Sequence, residues 1–169
     1  LVFRAKMGVC QARRLAIDLA PLPGKFRPAR LKPAPAAAYP VQIAASRTAL
    51  FSDTYAGEHL YQLGKVHNLR RAARDLDGLI LTPGAVFSFW RQVGPTTRAK
   101  GYATGRMLQE GCLSPATGGG LCQLSSALYD AALQAGLTIV ERHAHSRIVP
   151  GSTAARLGRD ATIAWNYVD

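Results

Sequence analysis

The run Gly118-Gly119-Gly120-Leu121-Cys122 constrains this chain more than any other stretch. Three glycines lead into a cysteine and then into an apolar helical pattern, Leu124, Ala127, Leu128, Ala131 and Ala132, that Gly136 ends. Glycine tolerates positive φ and lets backbone N–H groups converge, and a cysteine at a helix start sits where the dipole favours a thiolate. Such a run either presents a nucleophile or turns tightly into a core helix, and a buried, inert cysteine serves the second purpose equally well.

What surrounds that run is limited by length and charge. A chain of 169 residues can bury one sizeable core. The net charge of +11 is uneven: residues 1–50 hold nine Lys/Arg against Asp18 alone, so +8 belongs to the N-terminal segment. That segment reads as a basic arm, either solvated or in contact with an anionic membrane surface or polymer. Cys10, Cys112 and Cys122 are odd in number and lack C-x-x-C spacing, which indicates neither a disulfide framework nor a zinc ribbon. They fit a reducing compartment, with a Cys112–Cys122 bridge as the alternative. No run reaches the roughly 18 apolar residues of a membrane span, and no signal-peptide pattern is present. The chain begins at Leu1, so the compartment stays open between cytoplasm and cell envelope.

Along the chain, residues 3–20 predict a helix and residues 21–40, with six prolines, a semi-rigid linker. A helical stretch over 42–63 follows. Residues 67–76 read as an amphipathic helix with Leu69, Ala72, Ala73 and Leu76 on one face. Residues 79–81 and 86–90 predict short strands, separated by Pro83-Gly84. Residues 106–108 are extended before 114–120. Residues 138–145 alternate as a strand, and 161–167 give the last one. The organisation expected is a basic arm over 1–55 and a domain over 56–169. Its fold class is α+β, with a helix starting at Cys122 packed on a mainly antiparallel sheet.

Geometry makes two histidines relevant to the thiol. A helix from Cys122 to Ala135 runs about 21 Å from its start, and a strand from Leu137 to His145 returns roughly 30 Å. Antiparallel packing would bring His143 and His145 back to Cys122, both on one face. Thiol, imidazole base and an orienting carboxylate, Asp160 or Asp169, are the equipment of acyl transfer, and the amides of Gly118, Gly119 and Gly120 could serve the oxyanion. Three other readings stand beside it. The H-x-H pair reads also as hydrogen-bonded side chains only, or as a zinc set with Cys122 or Asp160, and Glu141 and Arg142 read as an interstrand or surface ion pair. For binding, Gln123 joins the three glycines at the site, and Trp90 and Tyr102 are candidates for an aromatic rim, otherwise core.

Further motifs give these residues a context. They include Asn68-Leu69, Thr82-Pro83-Gly84, Phe87-Ser88-Phe89-Trp90, Val93-Gly94-Pro95 and Gly101-Tyr102. With Gly118 to Ser125, Glu141-Arg142-His143-Ala144-His145-Ser146 and Gly158-Arg159-Asp160-Ala161-Thr162, they resemble the VanW family over roughly residues 60–169. The resemblance implies association with the bacterial cell envelope, vancomycin resistance and peptidoglycan, and leaves the chemistry open. Residues 147–157 are short and Ala/Gly-rich, and the family pattern runs on past Asp169, so a C-terminal strand is expected beyond it. More distantly, a glycine-preceded cysteine on a helix followed by antiparallel strands is similar to transglutaminase-like and papain-like thiol enzymes. In those folds the histidine comes from a later strand. The expectation is therefore a cysteine-dependent acyltransferase or hydrolase acting on a peptidoglycan-related amide or ester. The alternatives are a non-catalytic module binding glycan or peptide and a metal-dependent hydrolase. No cofactor and no nucleic-acid partner are expected, and the partner is peptidoglycan or a cell-wall precursor.

Overall fold

The computed structural model describes residues 2–19, 32–51, 59–109, 112–145, 153–165 and 168–169. Five α-helices, two short 3-10 helices, Ala36–Ala38 and Arg98–Lys100, and one two-stranded antiparallel sheet make up the regular structure among them, an α+β arrangement.

Helix α1, Val2–Leu19, agrees with the expectation for the arm. It is tied to the body, because Gln11 Nε2 donates to the Trp165 carbonyl at 2.9 Å and Arg14 pairs with Glu141 at 2.6 Å. The proline-rich linker falls largely outside the described residues. Where it is described, Pro33 bridges to Leu79, with Ala34 N–H donating to Gly78 O at 2.8 Å and Ile80 N–H to Lys32 O at 3.0 Å. The strand expected at 79–81 is thus a single bridge to the arm.

Helix α2, His59–Leu76, starts earlier than its amphipathic stripe suggested, and among the described residues the helix predicted over 42–63 appears only as α2's first turn. Residues 41–51 have no regular structure. α2 buries Val66, and packs Leu69 and Ala72 against Phe89, Trp90, Val93, Tyr102, Leu121 and Ile163. The strand expected over 86–90 is instead the entry to helix α3, Phe89–Val93. Ser88 is extended and its Oγ accepts from Arg91 N–H, an N-cap that overrides the alternation of Val86, Phe87 and Phe89.

The hairpin β1, Thr104–Gln109, and β2, Cys112–Thr117, carries the chain to the glycine run, with Thr104 opposite Thr117 and Gly105 opposite Ala116. Gly119 lies so close to β1 that a Cβ there would stand 2.5 Å from the Gly105 carbonyl oxygen, so only glycine fits. Helix α4, Cys122–Gln134, follows and closes in a Schellman motif, Gly136 N–H donating to Leu133 O and Leu137 N–H to Ala132 O. Helix α5 is the short Thr153–Arg156.

Among the described residues, the two strands expected after α4 form no ladder. Residues 137–145 and 158–163 run without regular structure, joined by Thr162 N–H donating to His143 O at 2.8 Å. Ala164 bridges only to Val168. Side chains hold these segments, as the site shows. No helix among the described residues is long and apolar enough to cross a membrane.

Candidate functional site

Cys122 is the first residue of α4, as its motif implied. The cap residue Leu121 gives no side-chain hydrogen bond and the first turn holds no acidic residue, so nothing neutralises the positive end of the helix. The thiol points inward: Sγ lies 3.6 Å from Thr162 Oγ1 and 3.8 Å from Ile163 O. The His145 imidazole is its electrostatic partner. Cys10, Cys112 and Cys122 are all free thiols, so the alternative Cys112–Cys122 bridge is absent.

His145 is fixed from its other side. Nδ1 lies 2.8 Å from both Asp160 carboxylate oxygens, and its backbone N–H donates to Asp160 Oδ2 at 2.7 Å. The carboxylate thereby sets both ring and main chain and leaves Nε2 for the thiol. Both side chains are 11% exposed, where such bonds are weakly screened. Asp160 is placed by its neighbours: Ser126 Oγ accepts from Ala161 N–H at 3.1 Å, and Arg142 Nε donates to Asp160 O at 2.8 Å with its guanidinium over the Tyr129 ring. An Arg159–Asp130 ion pair ties the preceding residue to α4.

The electrostatics follow from this chain of contacts. Burial alone pushes the Cys122 thiol up, but hydrogen bonds from His145, the Ile163 backbone and Thr162, with the imidazolium charge, hold it below its ordinary value. The Cys122 hydrogen bond raises His145 against the cost of burial, and with the thiolate charge and Asp160 adding to it the imidazole reaches about 9. Each shift is the other's cause, as in a thiolate–imidazolium pair.

The remaining expected residues lie elsewhere or do other work. His143 turns outward, its side chain 49% exposed with Nε2 3.0 Å from Glu141 Oε1. The two histidines therefore do not converge on one ligand, and no group of three or more His, Cys, Asp or Glu able to hold a metal ion occurs among the described residues. Glu141 pairs with Arg14 and His143 rather than with Arg142. Asp169 accepts from Trp90 N–H at 3.0 Å, on α3 rather than at His145. Trp90 and Tyr102 form no rim: they are 9% and 3% exposed and belong to the core, where Trp90 meets Phe89 and Trp165 edge-on.

The glycine amides are mostly committed, because Gly118 N–H donates to Ala103 O and Gly119 N–H to Ala116 O, both at 3.0 Å. The Gly120 and Cys122 N–H groups have no acceptor among the described residues. Gly120, at φ 97°, lies under the Lys65 stem, which fills the place a Cβ would take. The Gln123 amide donates to Thr48 Oγ1 at 2.9 Å and to Ala49 O at 2.7 Å.

Sequence reasoning overlooked the role of Asn68. Fully buried on α2, it donates from Nδ2 to Ala103 O and Gly119 O, both at 3.0 Å, and accepts from Ala103 N–H at 2.9 Å. It welds α2 to the glycine turn. Its signal was a lone amide inside the apolar stripe of Leu69 and Ala72.

Comparison with known proteins agrees with the motifs. The family model described as "VanW like protein" matches residues 64–169. The chain is 43% identical over 103 residues to "Uncharacterized protein YoaR" of Bacillus subtilis (strain 168), covering 61% of this chain and 33% of that protein. It is 37% identical over 123 residues to "Vancomycin B-type resistance protein VanW" of Enterococcus faecalis (strain ATCC 700802 / V583), covering 72% of this chain and 45% of that one. It thus spans less than half the length of either relative. No solved structure matches. With the glycine-cysteine run, the His-Ala-His segment and Asp160 all inside the matched residues, the chain belongs to the VanW-like family.

Proposed function

We propose that this domain is a thiol enzyme that transfers or hydrolyses an acyl group of a cell-envelope peptide, through Cys122 as nucleophile, His145 as base and acid, and Asp160 as the group orienting His145. The observation that carries this reading is the relay in which Asp160 holds Nδ1 of His145 while the imidazole partners the Cys122 thiol at an uncapped helix start. The thiolate attacks the acyl carbon, a C–S bond forms, and the carbonyl oxygen becomes an oxyanion facing the N–H of Cys122 or Gly120. As the C–N or C–O bond breaks, His145 passes its proton to the leaving amine or alcohol, giving a thioester. Water or an amine, deprotonated by His145, then displaces the thiolate. The cell-envelope assignment rests on the relative named for vancomycin resistance.

The rate of Cys122 alkylation by iodoacetamide against pH, read by mass spectrometry, tests the proposal, with exposed Cys10 and Cys112 as internal references. Cys122 should react as a thiolate well below the ordinary thiol value of about 8.5, and His145→Ala should return it there. Titration of Cys122 near that value, indifferent to His145→Ala, would overturn the reading.

A further inference from the structure

Residues 46–49 lie along α4 immediately beside the nucleophile. Ser46 bonds the Asp130 side chain, while Thr48 and Ala49 meet Gln123, so the segment runs antiparallel to the helix. Seven helical positions separate Gln123 from Asp130, an axial rise of about 10.5 Å, and three residues cover it. At roughly 3.3 Å per residue, an extended segment spans that rise.

It lies there without belonging to the body. Residues 39–51 make no backbone–backbone hydrogen bond to any described residue, and Arg47, Thr48 and Ala49 are exposed. Val41 and Ile43 project into solvent rather than into the core. The main-chain anchor is the Ala49 carbonyl, held by a side-chain amide one residue from the reacting sulfur. A peptide main chain needs such a donor to be gripped without regard to side chain, and an extended strand bound by few bonds is readily exchanged for another.

We infer that the Gln123–Asp130 face of α4 is a subsite for an extended peptide main chain, that Gln123 is its carbonyl-binding residue, and that residues 46–49 occupy it in the resting molecule. The inference rests on the thiol-enzyme reading and adds the substrate class: a peptide bound in extended form, in competition with the chain's own segment.

Two electrophiles with the same vinyl sulfone warhead test it on the full chain, one carrying an N-acetylated tripeptide and one a simple alkyl group. Cys122 should prefer the peptidyl probe by tenfold or more. Gln123→Glu, which replaces the donor by a carboxylate, should bring that preference to near one; as a ratio of two rates at the same thiol, the preference is unaffected by any change in the thiol's own reactivity. Replacing residues 46–49 by glycines should raise the peptidyl rate severalfold, because the competitor loses its side-chain bonds and becomes costlier to order. If both variants speed the peptidyl probe, Gln123 only holds the segment down and the subsite is refuted. Equal rates for the two probes, or a preference unchanged in Gln123→Glu, also refute it. In both cases a fast, His145-dependent iodoacetamide reaction would leave the thiol-enzyme reading standing, whereas a slow one would sink that reading itself.

Discussion

The nucleophile and its base are carried by two different kinds of chain. Cys122 begins a helix whose entry is welded to α2 and the hairpin by backbone bonds and by Asn68. His145 and Asp160 stand on segments with no ladder, held by each other, by Ser126 and by Arg142. The first side is positioned by regular structure and packing. The second is positioned by polar side chains, each of which is one substitution from failure, so a change that spares the fold can still dissolve the site.

The largest effect expected from breaking the rigid side is that of Asn68→Ala. It leaves the Ala103 N–H and the Gly119 carbonyl without their partner, while the Ala103 carbonyl keeps its bond from Gly118 N–H, and should cost about 3 kcal/mol in denaturant unfolding. Full stability would show that the glycine turn holds without it. On the irregular side, Asp160→Asn keeps the shape but removes the charge facing His145, and should slow Cys122 alkylation at neutral pH tenfold or more, on the order expected for one neighbouring charge. Smaller again, Ser126→Ala leaves the Ala161 N–H without its buried partner and should cost about 1 to 2 kcal/mol. If its loss of stability came without slower alkylation, the Asp160 segment would not depend on α4 for its place.

Two predictions are of near-zero effect. His145, raised to about 9 from 6.5, contributes stability that is complete below pH 6.5 and is lost as pH rises through 9. Cys122, lowered from 9.0, contributes stability that is complete above 9.0 and is lost as pH falls through its folded value. The slopes oppose where the two windows overlap, because a folded thiolate–imidazolium pair and an unfolded thiol and neutral imidazole bind the same number of protons. The pair should therefore add no pH slope there, and a stability that falls steadily from pH 7 to 8.5 in parent protein but not in His145→Gln would break the pairing. His143→Ala, at the exposed Glu141 contact, should change stability by less than about 0.5 kcal/mol and leave alkylation alone.

The sequence made the rigid side far more legible than the irregular one. The helix from Cys122 to its glycine stop could be read because its signals are local: apolar spacing, a glycine entry and a left-handed exit. The alternation over 138–145 and 161–167 suggested strands, but a strand needs a partner with a free edge, and here Asp160, Ser126 and Arg142 satisfy the backbone instead. The same misreading set His143 beside His145 on one face; without a ladder, Glu141 draws one ring outward and Asp160 draws the other in. Ser88 reversed a strand into a helix through a single hydroxyl. Trp90 and Tyr102 are core, because aromatic residues gain most from burial, whatever their suitability as platforms.

The chain's two tryptophans, Trp90 and Trp165, stand edge to face with ring centroids 5.2 Å apart, and Trp165 is five residues beyond Asp160. Indoles this close couple their excited states, so near-ultraviolet circular dichroism carries a signal that exists only while the segment bearing the carboxylate is docked on α3. The molecule thus holds an intrinsic optical gauge of whether its irregular half is assembled, readable without label or substrate.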